Sequence, residues 1–366
     1  MRETDLTSRP AGTAGSPRRG DGGMTGQKIA VLGAGANGAS IGADLTEAGL
    51  DVVLIEQWPE HVEAMRRRGV LIKEADRARR VPVRTLHLCE VATLRERFDY
   101  VLMAMKAYDS RWAAQLVEPY LRPDGLLVGV QNGMTVDTIA EVVGLARTVG
   151  CVIEVTSSMF EPGVVDRYSP RERSWFAVGG LGPETEGREE EIAALLRHSG
   201  AVDVFADIRA AKWMKLVSNA TALVTTALLG LPLADAAAIP EMRSFMIASG
   251  QEALDATVGL GNPVLPIFGM SEEALGGPGA QVANLLDTLL RAFVVAGGKT
   301  TVLQDWIKGR RSEVDDVNGL VASTHRDLGS RAPANEAVVE VAHRIERGEI
   351  EPRVENLGLL LELAGR

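Results

Sequence analysis

The chain is poor in the residues that would tie it to metals, disulfides or membranes. Of 366 residues only two are cysteine, Cys89 and Cys151, and only five are histidine. No CxxC and no His/Cys cluster brings them to ligand-like spacing, so no bound metal and no disulfide framework are expected, and the setting reads as a reducing cytoplasm. Basic residues are outnumbered, with 39 Lys and Arg against 49 Asp and Glu for a net charge of −10. That balance offers no general footprint for nucleic acid or for an acidic membrane surface. Long apolar runs are also lacking: the most apolar stretch, Ser218 to Ile239, is interrupted by Asn219, Pro232 and Asp235 and follows Lys212 and Lys215. It reads as a buried core helix and not as a membrane span. Residues 1–25, rich in Gly, Pro, Ser, Thr and Arg, lack the apolar segment of a secretory signal. They are expected to form a disordered leader, with Met24 as an alternative start.

What is present is the composition of a globular protein, 46% hydrophobic and 24% charged, with length enough for two domains. The organising stretch is Lys28 to Glu56. An apolar run Ile29–Leu32 ends in Gly33-Ala34-Gly35-Ala36-Asn37-Gly38, an Ala- and Leu-rich helical pattern follows, and Val52–Ile55 leads into Glu56. This is the dinucleotide-binding strand-turn-helix-strand signature in its required context. Gly33 permits the tight turn, Gly35 lets the backbone approach a pyrophosphate, and Gly38 allows the helix to pack close on the strand. The phosphates are expected at the helix N-terminus beside Ala36 and Asn37. Glu56 lies 56 − 35 = 21 residues beyond the second glycine, where a carboxylate can accept from the adenosine ribose hydroxyls and repel a 2′-phosphate. NADH is therefore expected over NADPH, although Gln57 or Arg66 to Arg68 offer partial compensation for a phosphate.

Further apolar runs at Tyr100–Met105 and Leu126–Val130 read as buried parallel strands, ending at Lys106 and at Gln131-Asn132-Gly133. Ligands in open α/β sheets bind outside such carboxyl ends. Short accessory strands are expected near Val70–Ile72 and Val81–Val83. Segments at Cys151–Ser157, Gly163–Val165 and Trp175–Val178 are expected to complete a mixed sheet. From Ile208 onward the strand-helix alternation gives way to long helices. The fold class is α/β: a Rossmann-type dinucleotide-binding domain over residues 26–207, then an all-helical substrate domain over residues 208–366, with Gly259–Gly279 as a loop.

Lys215 and Asn219 are four apart and share a helix face. From position alone Lys215 is either a surface lysine with its stem along apolar neighbours or a functional ammonium. A second constellation runs from Lys299-Thr300-Thr301 through Leu303-Gln304-Asp305 to Ser312-Glu313-Val314-Asp315 and Asn318-Gly319. Taken bare, it is a threonine-capped helix with a charged face on which Glu313 is a solvated or salt-bridged carboxylate.

Taken together, these motifs resemble the ketopantoate reductase (2-dehydropantoate 2-reductase) family, in the family's order and over nearly everything after the leader. The elements that carry the resemblance are GAGANG, Lys106, Gln131-Asn132-Gly133-Met134, Trp213-Met214-Lys215-Leu216 with Asn219, and the Thr301 to Gly319 constellation. The resemblance implies hydride transfer from reduced nicotinamide to a 2-oxo acid, with a 6-phosphogluconate-dehydrogenase-like helical domain. It implies that Lys215 donates the proton and that Glu313 holds the substrate. It also implies that Asn132, Asn219 and Thr301 line the substrate's polar end, that Lys106 sits near the nicotinamide, and that Lys106 and Asn132 meet both ligands. A homodimer is implied as well. Three features depart from the family: Thr301 replaces the usual serine, Glu56 stands against the usual NADPH, and Lys215 and Glu313 lie 313 − 215 = 98 positions apart. Ketopantoate is thus one candidate among branched 2-oxo acids. Two other readings stay open: an opine- or 3-hydroxy-acid-type dehydrogenase, and a regulator that binds NADH without catalysis.

Overall fold

A computed structural model describes residues 26–295 and 297–366, so the expected leader over residues 1–25 lies outside the described residues. An eight-stranded sheet forms the N-terminal domain, in the spatial order Ala201–Phe205, Trp175–Gly179, Thr148–Glu154, Leu121–Val130, Phe98–Met103, Lys28–Leu32, Asp51–Glu56 and Arg84–His87. Six strands run parallel, and the pair Ala201–Phe205 and Trp175–Gly179 runs the other way, joined antiparallel through Trp175 opposite Glu154. The central strands are apolar without interruption because both faces are covered. Ile29, Val31 and Leu102 pack on one face, while Ala30, Leu32 and Met103 pack on the other beneath Ala113, Val117 and Ile139.

The accessory strands do not extend this sheet, as the sequence had implied for Gly163–Val165. Ala78–Val81, Val70–Lys73, Val164–Arg167 and Ser157–Glu161 form a separate four-stranded sheet. A buried charge explains where it docks. Asp44, on the helix Ala36–Glu47, accepts from Arg167 at 2.6 Å and Arg171 at 2.8 Å. Burial alone would push the Asp44 carboxyl up, but the two guanidiniums outweigh it and hold it below the usual range. The small sheet is thereby fixed to the dinucleotide helix, and it delivers the Ser157 hydroxyl to the side-chain oxygen of Asn37.

The helical domain begins at Ile208, where the Asp207 side chain accepts from the Arg209 amide at 2.9 Å and caps the helix Ile208–Ala222. Residues 210–222 of that helix are all buried. It is crossed by the helices Pro240–Gly259 and Gln281–Ala292, and Pro333–Glu346 packs behind them. The single helix expected over Ser218 to Ile239 is not formed. The Thr225 and Thr226 hydroxyls bond back to the carbonyls of Thr221 and Ala222, Gly230 turns left-handed, and Pro232 opens a new short helix, Leu233–Ala237. Among the described residues, no helix is long and apolar enough to cross a membrane.

Candidate active site

The parallel strands aim their carboxyl ends at one crevice, and the helical domain closes it from the far side. Two adjoining cavities result. The first is lined by Gly33, Gly35, Ala36, Asn37, Glu56, Lys106 and Asn132, and from the other domain by Asp305, Arg310 and Glu313. The second holds Lys215, Asn219 and Glu154. Asn37, Asn132, Ser157, Thr301 and Gln304 border both.

The glycine turn gives the first cavity its shape. A Cβ on Gly38 would stand 2.0 Å from the Gly33 carbonyl oxygen, so only glycine lets the helix approach the strand this closely. A Cβ on Gly35 would meet nothing within 4 Å. It would project into the cavity at the N-terminus of the helix Ala36–Glu47, whose first amides have no side-chain cap. That backbone leaves room for a pyrophosphate at the place where amides can receive it. The Thr301 hydroxyl, at the junction of the two cavities, is buried and has no hydrogen-bond partner among the described residues, as expected of a group that meets a ligand. The residues present therefore fit a dinucleotide.

Glu56 is 8% exposed and accepts through Oε1 from the amides of Gln57 at 2.8 Å and Trp58 at 3.0 Å. Burial pushes its carboxyl up, against those amides and the nearby Arg310 guanidinium. Arg310, contributed by the helical domain, is the cation that the sequence reading missed. Arg66, considered there as a compensating charge, is instead paired with Glu63 and Glu90.

Lys106 pairs with Asp305 and lies 3.3 Å from Glu313. Burial opposes the charge on Lys106, yet the two carboxylates outweigh it and push its pKa up. The other oxygen of Glu313 accepts from the Ala107 amide at 2.9 Å. These partners draw Glu313 to the dinucleotide side, so the structure does not bring it into the Lys215 cavity. Asn318 is fully buried and donates to Asn335 at 2.8 Å within the helical core.

The second cavity gathers the residues at the foot of the capped helix. Lys215 is 7% exposed, which sets aside the reading of a surface lysine. Its Nζ pairs with Glu154, at the carboxyl end of the strand Thr148–Glu154, and stands 5.1 Å from the centre of the Phe268 ring. One turn on, Asn219 donates to the Asn132 side chain at 3.1 Å. Phe268 comes from the segment expected as a loop over Gly259–Gly279, which in the structure starts at the end of the helix Pro240–Gly259 and contains a short helix at Glu272–Leu275 capped by Ser271. Phe268 has a left-handed φ of 63° that a bulky residue rarely adopts, and packs edge-on against Trp175. Lys212, one turn before Lys215, is 2% exposed and donates to the carbonyls of Gln131 at 2.9 Å and Cys151 at 3.4 Å. Burial lowers its pKa to about 8. Glu154, Phe268 and Lys212 were not foreseen. The strand-end rule that singled out Lys106 and Asn132 would have found Glu154, whereas nothing local marks Phe268.

Two chambers in series, one shaped for a dinucleotide and the next carrying a buried ammonium beside two amides, place the chain in the class of nicotinamide-dependent oxidoreductases. Residues 29–178 match the family model for ketopantoate reductase PanE/ApbA and residues 207–346 match that for its C-terminal part, so the chain belongs to the ketopantoate reductase family. It is an NAD(P)H-dependent enzyme that reduces a 2-oxo acid. The 2-dehydropantoate 2-reductase of Mesorhizobium japonicum is 27% identical over 348 residues, 88% of this chain and 99% of that protein. That of Archaeoglobus fulgidus is 23% identical over 329 residues, again 88% and 99%. Among solved structures, a PanE/ApbA family ketopantoate reductase from Ralstonia eutropha JMP134 superposes with a TM-score of 0.73 at 24% identity, over 88% of this chain and 99% of that one. The ternary structure of D-mandelate dehydrogenase with NADH and anilino(oxo)acetate gives a TM-score of 0.77 at 19% identity, with the same coverage.

Proposed function

We propose that this enzyme reduces 2-dehydropantoate or a related branched 2-oxo acid to the 2-hydroxy acid, with NADH preferred and Lys215 as proton donor. The observation that carries the reading is the position of Lys215 and Asn219 on one face of a buried helix, in a cavity that shares Asn132 and Thr301 with the dinucleotide cavity. Gly33, Gly35, Ala36, Asn37 and Gly38 would hold the pyrophosphate end of the cofactor, Glu56 the adenosine ribose, and Lys106 and Asn132 the nicotinamide end. When bound, reduced nicotinamide supplies the hydride.

The protein's own residues do the rest. Asn132, Asn219 and the Thr301 hydroxyl present hydrogen-bonding groups to the substrate carboxylate and carbonyl. Lys215 has three N–H bonds: Glu154 accepts one, leaving others for the carbonyl oxygen, to which a proton passes as negative charge develops there. That proton spares the step a bare alkoxide, which would be very costly in a cleft of this kind. Glu313, rather than touching substrate, holds Lys106 and the Ala107 amide in place. Association as a homodimer in the cytoplasm accords with the family resemblance.

NADH preference rests on Glu56, and a neighbour determined with NADH, D-mandelate dehydrogenase, accords with it. Nicotinamide absorbance followed with a panel of 2-oxo acids tests the reading. We expect kcat/KM at least about 10-fold higher with NADH than with NADPH, and Glu56→Arg to narrow or invert that ratio. A wild-type preference for NADPH would contradict the role of Glu56. Tight NADH binding with no turnover of any 2-oxo acid would contradict the enzyme reading as a whole.

A further inference from the structure

The cavity that holds Lys215 is polar at one end and apolar at the other. Along the helix Ile208–Ala222 and the turn after it, the residues that face the cavity run Lys215, Ser218, Asn219, Ala222, Leu223. Over the eight residue steps from Lys215 to Leu223, roughly 12 Å of helix, the lining passes from ammonium and amide to methyl and isobutyl. The polar end adjoins the dinucleotide cavity, because Asn219 bonds Asn132 and Asn132 borders both chambers. The far wall is built by Leu223 together with Leu233, Leu289, Phe293, Val294 and Val295. Leu223 follows the helix Ile208–Ala222, Leu233 opens the short helix Leu233–Ala237, Leu289 belongs to Gln281–Ala292 and Phe293 to Val295 to the turn after it, so the wall is a property of the helical domain alone.

A 2-oxo acid whose carboxylate and carbonyl engage Asn132, Asn219, Thr301 and Lys215 must direct its side chain to that far wall. The carboxylate that could receive a hydroxyl on such a side chain was expected to be Glu313, but Glu313 faces the other cavity and is bound to Lys106 and Ala107. Glu154, the acid that does line this cavity, is paired with Lys215. Thr156, Ser218, Lys299 and Thr300 also line the cavity, but a hydroxyl placed against Leu223, Leu233, Leu289, Phe293, Val294 and Val295 would meet only hydrocarbon side chains there, whereas a branched alkyl or phenyl group would bury apolar surface.

We propose that the preferred substrates are 2-oxo acids with a bulky, purely apolar side chain, branched aliphatic or aromatic, in preference to the hydroxylated 2-dehydropantoate. This rests on the reading of Lys215 and its neighbours as the site of 2-oxo acid reduction.

The test is the specificity of the full chain at saturating NADH, and again at saturating NADPH, with 4-methyl-2-oxopentanoate, phenylglyoxylate, pyruvate and 2-dehydropantoate. At least one of the two apolar acids should exceed both 2-dehydropantoate and pyruvate by about 10-fold or more in kcat/KM. Leu223→Asn, at a position that is only partly buried at the edge of the core, should reduce the advantage over 2-dehydropantoate several-fold. Equal or faster turnover of 2-dehydropantoate or of pyruvate would overturn the proposal while leaving the reductase reading intact. An unchanged preference in folded Leu223→Asn would remove the far wall from the explanation and overturn it too. No turnover of any of the four acids with either cofactor would overturn the reductase reading, and the substrate preference with it.

Discussion

The two cavities of this enzyme differ in how the chain builds them. The turn that shapes the phosphate end of the dinucleotide cavity comes from one continuous stretch, Lys28 to Glu56, in which a strand, a turn and a helix N-terminus are neighbours in sequence as well as in space, and strand ends and the helical domain complete the lining. The substrate cavity takes Asn132 and Glu154 from strand ends, Lys215 and Asn219 from a helix of the next domain, and Thr301 from a third segment. Local backbone chemistry therefore defines the first, and tertiary packing defines the second. Substitutions in the first should act on cofactor binding through shape, and those in the second on turnover through individual polar groups.

The largest effect that would sharpen this contrast is expected at Gly35. A Cβ there meets no described atom within 4 Å, and a valine side chain would enter the space expected for the pyrophosphate, so Gly35→Val should fold with a little-changed melting temperature. Its KM for NADH should rise by about 100-fold or more, some 2.8 kcal/mol. A modest change in KM would break the assignment of that turn to the phosphates. Next is Asn219→Ala, which removes the amide that donates to Asn132. Roughly a 10-fold fall in kcat/KM for the 2-oxo acid is expected, with the dissociation constant of NADH little altered. If NADH binding weakened equally, the two cavities would not be separable functions.

The smallest effect concerns the joint between them. Lys212 pins the substrate helix to the carbonyls of Gln131 and Cys151, and burial lowers its pKa from 10.5 to about 8. Between those values the unfolded chain binds a proton that the native protein does not, so this group makes stability rise with pH across that window. Lys212→Met should lack the rise. The difference in unfolding free energy between wild type and variant, measured by denaturant titration from pH 7.5 to 10.5, should therefore grow in favour of the wild type. Parallel curves would show that Lys212 does not titrate there.

The same contrast explains what could be read from the amino-acid sequence. The glycine turn, the alternation of strands and helices and the passage to helices at Ile208 are set by local periodicity, and the structure follows them. The separate four-stranded sheet was not legible, because its strands Val70–Lys73 and Val164–Arg167 pair across more than ninety positions and are fixed by the buried Asp44–Arg167 contact. The break after Ala222 was missed because threonine hydroxyls that bond back to the helix end it without any glycine at that point. In the site, Lys215 and Asn219 could be paired by helical spacing and Glu56 by its distance from the turn. Glu313 could be matched by motif but not placed, since its direction depends on Lys106, some two hundred positions away. Phe268 owes its place under Lys215 to an irregular loop with no periodic signal.

The central claim is that Lys215 gives a proton to a 2-oxo acid in a chamber distinct from the one that takes the dinucleotide. The most direct test compares wild type with Lys215→Ala in two assays on the same preparation: steady-state NADH oxidation by a 2-oxo acid that the wild type turns over, and NADH binding by fluorescence titration. The account predicts a fall in kcat of about 10²- to 10⁴-fold with NADH affinity preserved. Wild-type turnover by Lys215→Ala would contradict it.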